Sequence, residues 1–448
     1  MTRVLLVLIA IGLRTGPPAH AGTPAARPRI ANGIVTGEQP STGALIVFAP
    51  DGSVDSCSGT LIGCNTFLTA AHCVCPIDAR TAAACMSAGV ADPANLLIFL
   101  QHAGYFTATD VAINPDFDFS NAGDLAVITL SAQVTRITPA VINTVMKPLP
   151  GTTGTLVGFG NMGTQRSTGI KRTGKVATSA CSPNFPDDPF VCWAFTAPLG
   201  PAGKDSNTCY GDSGGPLFID FGSGDVLAGV TSGGESACLP PDFSFDTDVY
   251  TYRDFLQTQA GSDLDTPSCG DRPPVGGDRT HVFVSQGVVN VAQPEQRSTF
   301  VIEPGTALVR VAMNGESGTF GGNDFDVFVR FNAPPTVSLS DCNDQNSNPL
   351  GFCEITDPSP GTWHVLVERV TGGGSYQLVV TTFPGAPTCT GDCDADGHVD
   401  ATELASRFIP LIFGSDIAAT CPGQVGLPTP VRANNLVAGV RSAGDGCP

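Results

Sequence analysis

Short apolar runs separated by glycine, proline, asparagine and aspartate fill the chain from residue 30 to about residue 259. The clearest runs are residues 44–48, 96–100, 125–130, 156–159, 217–220 and 226–231. Runs of this length between turn-forming residues predict antiparallel strands, and their number predicts an all-β barrel or sandwich. Residues 252–259 are predicted to form a helix that closes this region.

A second β region follows a linker. Residues 271–276 contain Pro273 and Pro274 and lead into Gly276 and Gly277, a composition typical of an exposed connection. Beyond the linker, apolar side chains alternate with polar ones at Phe325, Val327, Val329, Phe331, Trp363, Val365, Val367, Tyr376, Leu378 and Val380. This period of two predicts a smaller β-sandwich. Residues 384–387 then lead into a short tail that contains four cysteines.

The first 21 residues have the features of a signal peptide. Arg3 precedes an apolar run over residues 4–13, and Ala19-His20-Ala21 provides small residues for cleavage after Ala21. The run is too short to span a bilayer, and no later stretch approaches the roughly 20 apolar residues that a membrane helix needs. We expect a secreted protein, extracellular or periplasmic, that does not bind membranes.

Composition narrows the class further. The 448 residues suggest two to four domains at about 150 residues each. Sixteen cysteines in an exported chain predict disulfides. The net charge is −19, and because residues 1–29 hold four arginines and no acid, the chain from Ile30 has 18 basic and 41 acidic residues, or −23. Phosphate backbones would be repelled, so we expect no nucleic-acid partner.

The hexapeptide GDSGGP at residues 211–216 offers Ser213 as a candidate nucleophile. It also satisfies G-x-S-x-G, the nucleophile elbow of α/β-hydrolases, whose histidine follows the serine. Here the histidines after Ser213 are His281, His364 and His398, all in other predicted domains. An elbow is therefore disfavoured.

Two histidines precede Ser213 after the signal peptide. His102 lies in an apolar strand and is interpreted as structural, whereas His72 lies between small alanines and Cys73. Asp124 precedes a wholly apolar strand, where a buried carboxylate would support an imidazolium. The chain order His72, Asp124, Ser213 differs from that of α/β-hydrolases and subtilisins.

At these residues the sequence resembles the chymotrypsin/trypsin family of serine endopeptidases. The resemblance rests on LTAAHC at His72, GDLAVITL at Asp124, GDSGGP at Ser213 and DVYT from Asp248 to Thr251, and it covers about residues 30–260. It implies a mainly β fold, a double six-stranded antiparallel β-barrel. It also implies His72 as general base, Asp124 as its orienting partner and Ser213 as nucleophile, with the N–H groups of Gly211 and Ser213 forming the oxyanion hole. No cofactor is expected for catalysis.

The resemblance extends to activation and to disulfides. Arg29-Ile30 is similar to the family's activation site, so residues 22–29 would be a propeptide, and the amine freed at Ile30 would pair with Asp212. The implied disulfides are Cys57–Cys73, Cys181–Cys192 and Cys209–Cys238. Cys64, Cys75, Cys85 and Cys269 remain unassigned.

Specificity departs from the trypsin pattern. Trypsins place an Asp six residues before the catalytic serine, where this chain has Asn207 followed by Thr208. Asp205 or Asp248 could substitute, and the hypothesis is that Asp248 selects Arg or Lys. The wall residues Ser232, Gly233 and Gly234 lack the usual aromatic side chain, which indicates an open cleft.

The C-terminal part has two further resemblances. Residues 280–383 resemble the bacterial pre-peptidase C-terminal domain, with Cys342 and Cys353 as a paired staple. The tail fits the EF-hand loop and is similar to dockerin-like modules, with a helix after the loop. Its Ca²⁺ ligands would be Asp392, Asp394, Asp396, His398 through its carbonyl, Asp400 and Glu403.

Together these features predict six segments and one main function. The segments are a signal peptide (1–21), a propeptide (22–29), a protease domain (30–262), a linker (263–279), a β-sandwich (280–384) and a calcium-binding helix-loop tail (385–448). The predicted protein is a monomeric, secreted serine endopeptidase made as a zymogen, acting on proteins or peptides. The alternative is a catalytically silent homologue that serves as an extracellular binding or adhesion protein.

Overall fold

The computed structural model describes residues 30–49, 51–119, 121–161, 168–181, 188–234, 238–266, 269–270, 280–317 and 322–385. The predicted signal peptide, propeptide and calcium loop lie outside these residues. Within them the protein is mainly β, as the sequence predicts. None of the described helices is long and apolar enough to cross a membrane.

The N-terminal half of the protease region is a closed six-stranded barrel. After the short strand β1 (Ile34–Val35), the barrel strands are β2 (Thr42–Phe48), β3 (Val54–Leu61), β4 (Thr66–Thr69), β5 (Leu96–Leu100), β6 (Gly104–Ile113) and β7 (Ala126–Leu130). They close in the order β2-β3-β4-β7-β6-β5. Helix α1 (Ala82–Ala88) lies between β4 and β5. Alternating inward side chains such as Leu45, Phe67 and Ile98 fill the interior.

The second half differs from the six-stranded barrel that the sequence predicts. Its strands are β8 (Thr153–Gly158), β9 (Arg172–Ala177), β10 (Phe190–Phe195), β11 (Pro216–Asp220), β12 (Asp225–Gly234) and β13 (Asp242–Asp248). With β1 they form a seven-stranded sheet in the order β1-β9-β8-β11-β12-β13-β10. β9 ends at Ala177, so the described residues approach closure only at the bridge between Ser179 and Cys192. Helix α2 (Arg253–Ala260) follows, close to the predicted 252–259, and buries Leu256.

The C-terminal region is a sandwich of two four-stranded sheets. Its strands are β14 (His281–Val289), β15 (Glu295–Ile302), β16 (Thr306–Gly315), β17 (Asp324–Phe331), β18 (Cys342–Asp344), β19 (Leu350–Thr356), β20 (Gly361–Thr371) and β21 (Gly374–Pro384). The sheets have the orders β14-β21-β16-β19 and β15-β20-β17-β18. The alternating residues seen in the sequence, including Val327, Trp363 and Val380, form the core between them.

The sandwich packs on the closed barrel through apolar side chains from both domains and a buried polar network. The His102 imidazole contacts the hydroxyl of Thr381 at 2.7 Å and the carbonyl of Gly37 at 2.7 Å. Gln101 donates to both Asn314 and Gln377. His102 thus has the structural role expected from the sequence, but one of its two partners, Thr381, lies in another domain.

Six disulfides join all twelve cysteines of the described residues. Four are the expected pairs Cys57–Cys73, Cys181–Cys192, Cys209–Cys238 and Cys342–Cys353. The other two are Cys75–Cys85 and Cys64–Cys269, which the sequence left unassigned. Cys64–Cys269 attaches the chain beyond α2 to the closed barrel.

Candidate active site

His72 and Asp124 meet between the two halves of the protease region. β4 ends at Thr69, and the 3₁₀ turn Ala71–Cys73 carries His72 while the Cys57–Cys73 disulfide fixes the turn to β3. Asp124, fully buried just before β7, places Oδ2 2.6 Å from His72 Nδ1. Its Oδ1 accepts from the backbone N–H of His72 at 2.9 Å. This pair holds the imidazole so that Nε2 is left for chemistry.

Ser213 lies in the turn before β11, on the opposite side of the same junction. Its carbonyl accepts from the N–H of Ser58 in β3 at 2.8 Å. The sulfur of Cys73 is 3.7 Å from the Ser213 carbonyl oxygen and 3.9 Å from His72 Nε2. The structure therefore brings together the three residues that the sequence selected.

The turn around Ser213 contains two backbone N–H groups that have no acceptor among the described residues. Gly211 has a φ of +91°, a conformation that glycine adopts readily and that other residues avoid. Its carbonyl accepts from the Ser58 hydroxyl at 2.8 Å. Neither Gly211 N–H nor Ser213 N–H donates to a described protein group. Two fixed, unpaired donors beside a serine are the geometry that an oxyanion requires.

Asp212 is buried beneath this turn. Its Oδ1 accepts from Gly160 N–H at 2.7 Å and its Oδ2 from Cys209 N–H at 2.9 Å. Burial raises the pKa of Asp212 to about 7, although these two hydrogen bonds and the charge of Arg172 act in the opposite direction. A carboxylate in this state would be stabilised by a nearby cation.

The segment after the predicted activation site is folded into the same region. Ile30 is buried and packs with Leu156, Val191 and other apolar side chains. Ala31 pairs with Asn207, whose N–H donates to the Ala31 carbonyl at 3.0 Å. Arg29 lies outside the described residues.

The expected pocket residues are brought together, but several have other partners. Asn207, next to the buried Thr208, accepts from the Trp193 indole at 2.8 Å and donates to Asp242 at 2.7 Å. Ser232 donates to Asp124 at 2.6 Å, and Gly233 and Gly234 continue β12 beside it. Asp205 accepts from Gly200 N–H.

Asp248, the acid that the sequence assigned to the pocket, is engaged at the end of β13. Its Oδ2 accepts from the Thr251 hydroxyl at 2.6 Å and its Oδ1 from Tyr250 N–H at 3.3 Å. Burial raises its pKa, while these bonds and Lys147 lower it. In the pairing of β12 with β13, Asp248 lies opposite Gly229, which is two residues before Thr231.

Asp246 is the acid without such partners. It is fully buried, and neither carboxylate oxygen has a hydrogen bond of good geometry to a described group. The register places it opposite Thr231, which immediately precedes Ser232. Burial raises its pKa well above the ordinary value, and the Thr231 hydroxyl opposes this shift. A methyl group on Gly229 would lie 2.8 Å from Asp246 Oδ2, so glycine provides room for this carboxylate.

The described residues offer one group with the geometry of a metal site, and it is not suited to that role. Cys57, His72 and Cys73 place their ligand atoms within 4.8 Å of one another, but the two sulfurs form a disulfide. A disulfide lacks the thiolate that binds metal. The predicted Ca²⁺ ligands lie outside the described residues.

Comparison with known proteins identifies two domains. The family model described as Trypsin matches residues 34–256, and the model described as Bacterial pre-peptidase C-terminal domain matches residues 294–369. The chain carries a trypsin domain. A protein named Trypsin from Saccharopolyspora erythraea is 29% identical over 241 residues, which are 50% of this chain and 93% of that protein.

The trypsin domain therefore contains both barrel halves, and the matched pre-peptidase domain lies within the sandwich. This pair of domains, together with six disulfides, is typical of an extracellular protein. Sequence reasoning missed the contact of Ser232 with Asp124 and the buried carboxylate of Asp246. The alternation at Asp242, Ser244 and Asp246 was the available signal, because in a strand it places all three on one face.

Proposed function

We propose that the protein is a secreted serine endopeptidase that works through His72, Asp124 and Ser213. The observation that carries this proposal is the buried Asp124 carboxylate, which bonds both the ring and the backbone of His72 beside Ser213. Intact candidates for all three roles and for the oxyanion donors support an enzyme over the silent homologue.

The proposed reaction proceeds in two halves. His72 Nε2 takes the proton from the Ser213 hydroxyl as Oγ attacks the substrate carbonyl, and the N–H groups of Gly211 and Ser213 bind the oxyanion. The C–N bond then breaks as His72 returns the proton to the leaving amine, which leaves an acyl-enzyme on Ser213. Water repeats the sequence with His72 again as base and frees the acid. Asp124 stabilises the imidazolium in both halves.

Labelling with a fluorophosphonate tests the nucleophile. The activated protein should react at Ser213, and Ser213→Ala should fold and remain unlabelled. His72→Ala, whose serine lacks its base, should label far more slowly. A folded, activated wild-type protein that does not react would favour the binding or adhesion alternative.

We further propose that Asp246 binds the side chain of Lys or Arg in the substrate. A buried carboxylate that lacks a hydrogen bond of good geometry is costly, and a substrate cation would offset that cost. Asp242 and Asp248 have their own donors, which leaves Asp246 as the acid free to accept one. Thr231, opposite Asp246, also holds the nucleophile turn, because its carbonyl accepts from Gly214 N–H and its N–H donates to Gly215.

Peptide-library profiling of Asp246→Asn and Asp248→Asn separates the two acids. The wild type should cleave after Lys or Arg, and Asp246→Asn should lower kcat/KM for those peptides by at least about 100-fold, because breaking a buried ion pair costs about 3–5 kcal/mol. Asp248→Asn should retain the preference. Cleavage after large apolar residues that neither variant changes would contradict the proposal.

We also propose that cleavage after Arg29 activates the enzyme and that the C-terminal loop binds Ca²⁺. The burial of Ile30 and Asp212 supports the proposed activation. The five spaced acidic side chains from Asp392 to Glu403 support the proposed Ca²⁺ site. Calcium titration of the full chain should release heat, and the same titration of Asp392→Asn with Glu403→Gln should not.

A further inference from the structure

The sandwich holds a segment of the trypsin domain at Thr168 and Gly169. Thr168 N–H donates to the Ser317 hydroxyl at 3.1 Å, and Ser317 N–H donates back to the Thr168 carbonyl at 2.9 Å. The two hydroxyls are also 3.1 Å apart. Asn314, fully buried, donates to the Gly169 carbonyl at 2.8 Å. Four hydrogen bonds thus fix two adjacent residues across the domain boundary.

The held segment contacts the turn that bears the oxyanion donors. A Cβ atom added to Gly211 would lie 2.7 Å from Thr168 Cγ2, so the methyl group of Thr168 packs directly on Gly211. A second route runs through hydrogen bonds. Gly169 N–H donates to the Phe159 carbonyl at 2.7 Å, and Phe159 N–H donates to Ser58 Oγ at 2.9 Å. The Ser58 hydroxyl in turn donates to the Gly211 carbonyl at 2.8 Å.

We propose that Thr168 and Ser317 are positioning residues for the oxyanion hole, so that the docked sandwich forms part of the catalytic apparatus. This inference rests on the proposed peptidase function. The peptide plane that carries the Gly211 carbonyl is separated from each of the two oxyanion N–H groups by a single pair of soft dihedrals, φ and ψ. Fixing this carbonyl and packing on the Gly211 Cα therefore restrict where the N–H groups of Gly211 and Ser213 point. Oxyanion stabilisation depends on donors held in place before the reaction, so a looser Gly211 lowers kcat more than it weakens substrate binding.

Matched variants separate the two contacts of Thr168. Thr168→Ser keeps the hydroxyl and removes the methyl that packs on Gly211, whereas Thr168→Val keeps the methyl and removes the hydroxyl that meets Ser317. Ser317→Ala removes the sandwich side of the contact. The control is Tyr105→Phe, which deletes a 2.9 Å hydrogen bond to Asp344 elsewhere on the same interface.

The experiment measures kcat, KM, thermal midpoint and the Ki of a peptide boronate, whose tetrahedral adduct occupies the oxyanion hole. Thr168→Ser and Ser317→Ala should lower kcat about three- to tenfold and weaken the boronate by a similar factor, with KM and the midpoint near wild type. Thr168→Val should show a smaller loss in the same direction. Tyr105→Phe should leave kcat and Ki unchanged.

Two outcomes count against the proposal, and they are distinguishable. If the wild type is active and the variants match Tyr105→Phe in kcat and Ki, the contact is only structural. If the activated wild type does not hydrolyse peptides, the proposed function fails and this inference fails with it. If Ser317→Ala does not fold, kcat and Ki of Thr168→Ser decide the question, because that substitution removes only one methyl group.

Discussion

The hydroxyl of Ser232 donates to Oδ2 of Asp124, the oxygen that also contacts Nδ1 of His72. Oδ1 of Asp124 accepts from the His72 backbone. A fully buried carboxylate is stabilised by such donors, and here they also fix its orientation. β12 therefore supplies a support for the triad in addition to a wall of the predicted pocket.

Removing this support should reduce kcat without changing substrate selection. Ser232→Ala should lower kcat by about 10- to 100-fold, because one charge-assisted hydrogen bond is worth roughly 1.5–3 kcal/mol. Asp124→Asn should lower it by roughly 10⁴, the effect known for this substitution in a triad. Active-site titration followed by turnover measurement checks both. Ser232→Thr, which retains a hydroxyl, is the control, and a kcat of Ser232→Ala equal to wild type would contradict the role.

The triad could be predicted from sequence because each member lies in a short local pattern. His72 follows two alanines in a disulfide-fixed turn, Asp124 precedes an apolar strand, and Ser213 lies between glycines. The pocket was harder, because it depends on strand register. Asp246 and Asp248 are two residues apart in a strand, so the sequence places both on the same face. Only the pairing of β12 with β13 shows that Asp246 lies opposite Thr231.

The unpaired carboxylate of Asp246 should make stability depend on pH. Its folded pKa is raised by burial, so the penalty is absent below the unfolded value of 3.8 and grows as pH rises above it. Asp246→Asn should therefore be more stable than wild type at pH 8 and about equally stable at pH 3.5. Urea unfolding of both proteins at the two pH values measures the difference.

Asp248→Asn provides the matched control for this experiment. Its carboxylate accepts two hydrogen bonds, so the substitution should stabilise the protein less than Asp246→Asn or destabilise it. If Asp246→Asn were less stable than wild type at pH 8, the carboxylate would have a partner in the native protein.

Sequence reasoning recognised the sandwich but not its attachment. The alternation from Phe325 to Val380 reports which faces are apolar within one domain. The contact with the barrel instead combines apolar side chains, Phe383 and Leu350 among them, with a polar network of single residues such as Gln101, His102 and Asn314. A polar network of this kind leaves no periodic signal, so its partners could not be paired from sequence.

Acid should weaken the docking of the sandwich through His102. The Gly37 carbonyl can only accept, so Nε2 donates to it and Nδ1 accepts from Thr381, which is the neutral imidazole. The pKa of His102 is lowered from 6.5 to about 3, chiefly by burial and to a smaller extent by Lys171 and Arg310, while the Gly37 bond acts in the opposite direction.

A depressed folded pKa gives stability that is present above pH 6.5 and lost as pH falls toward 3. The loss attributable to His102 should reach about 3 kcal/mol between pH 6.5 and pH 4, at about 1.4 kcal/mol per unit. Denaturant unfolding across this range checks the slope. His102→Gln, which retains a donor and an acceptor, should flatten the slope, and an unchanged slope would assign the acid sensitivity to carboxylates.

Cleavage before Ile30 should stabilise the protein chiefly above neutral pH. In the uncleaved chain the pKa of Asp212 is about 7, so its ionised form is disfavoured and stability falls as pH rises from 3.8 through 7. A new ammonium beside Asp212 would favour ionisation and remove this penalty. The penalty is worth roughly 4 kcal/mol, because the pKa rises from 3.8 to about 7. Cleaved wild type should therefore exceed Arg29→Gln in unfolding free energy at pH 8, and the two should agree near pH 4.

Peptidase activity should follow the same difference, because Asp212 also accepts from Gly160 and Cys209, which fix the turn before Ser213. Asp212→Asn, which cannot pair with the ammonium, should show neither gain on cleavage. Equal activity of the cleaved wild type and Arg29→Gln at pH 8 would contradict a zymogen.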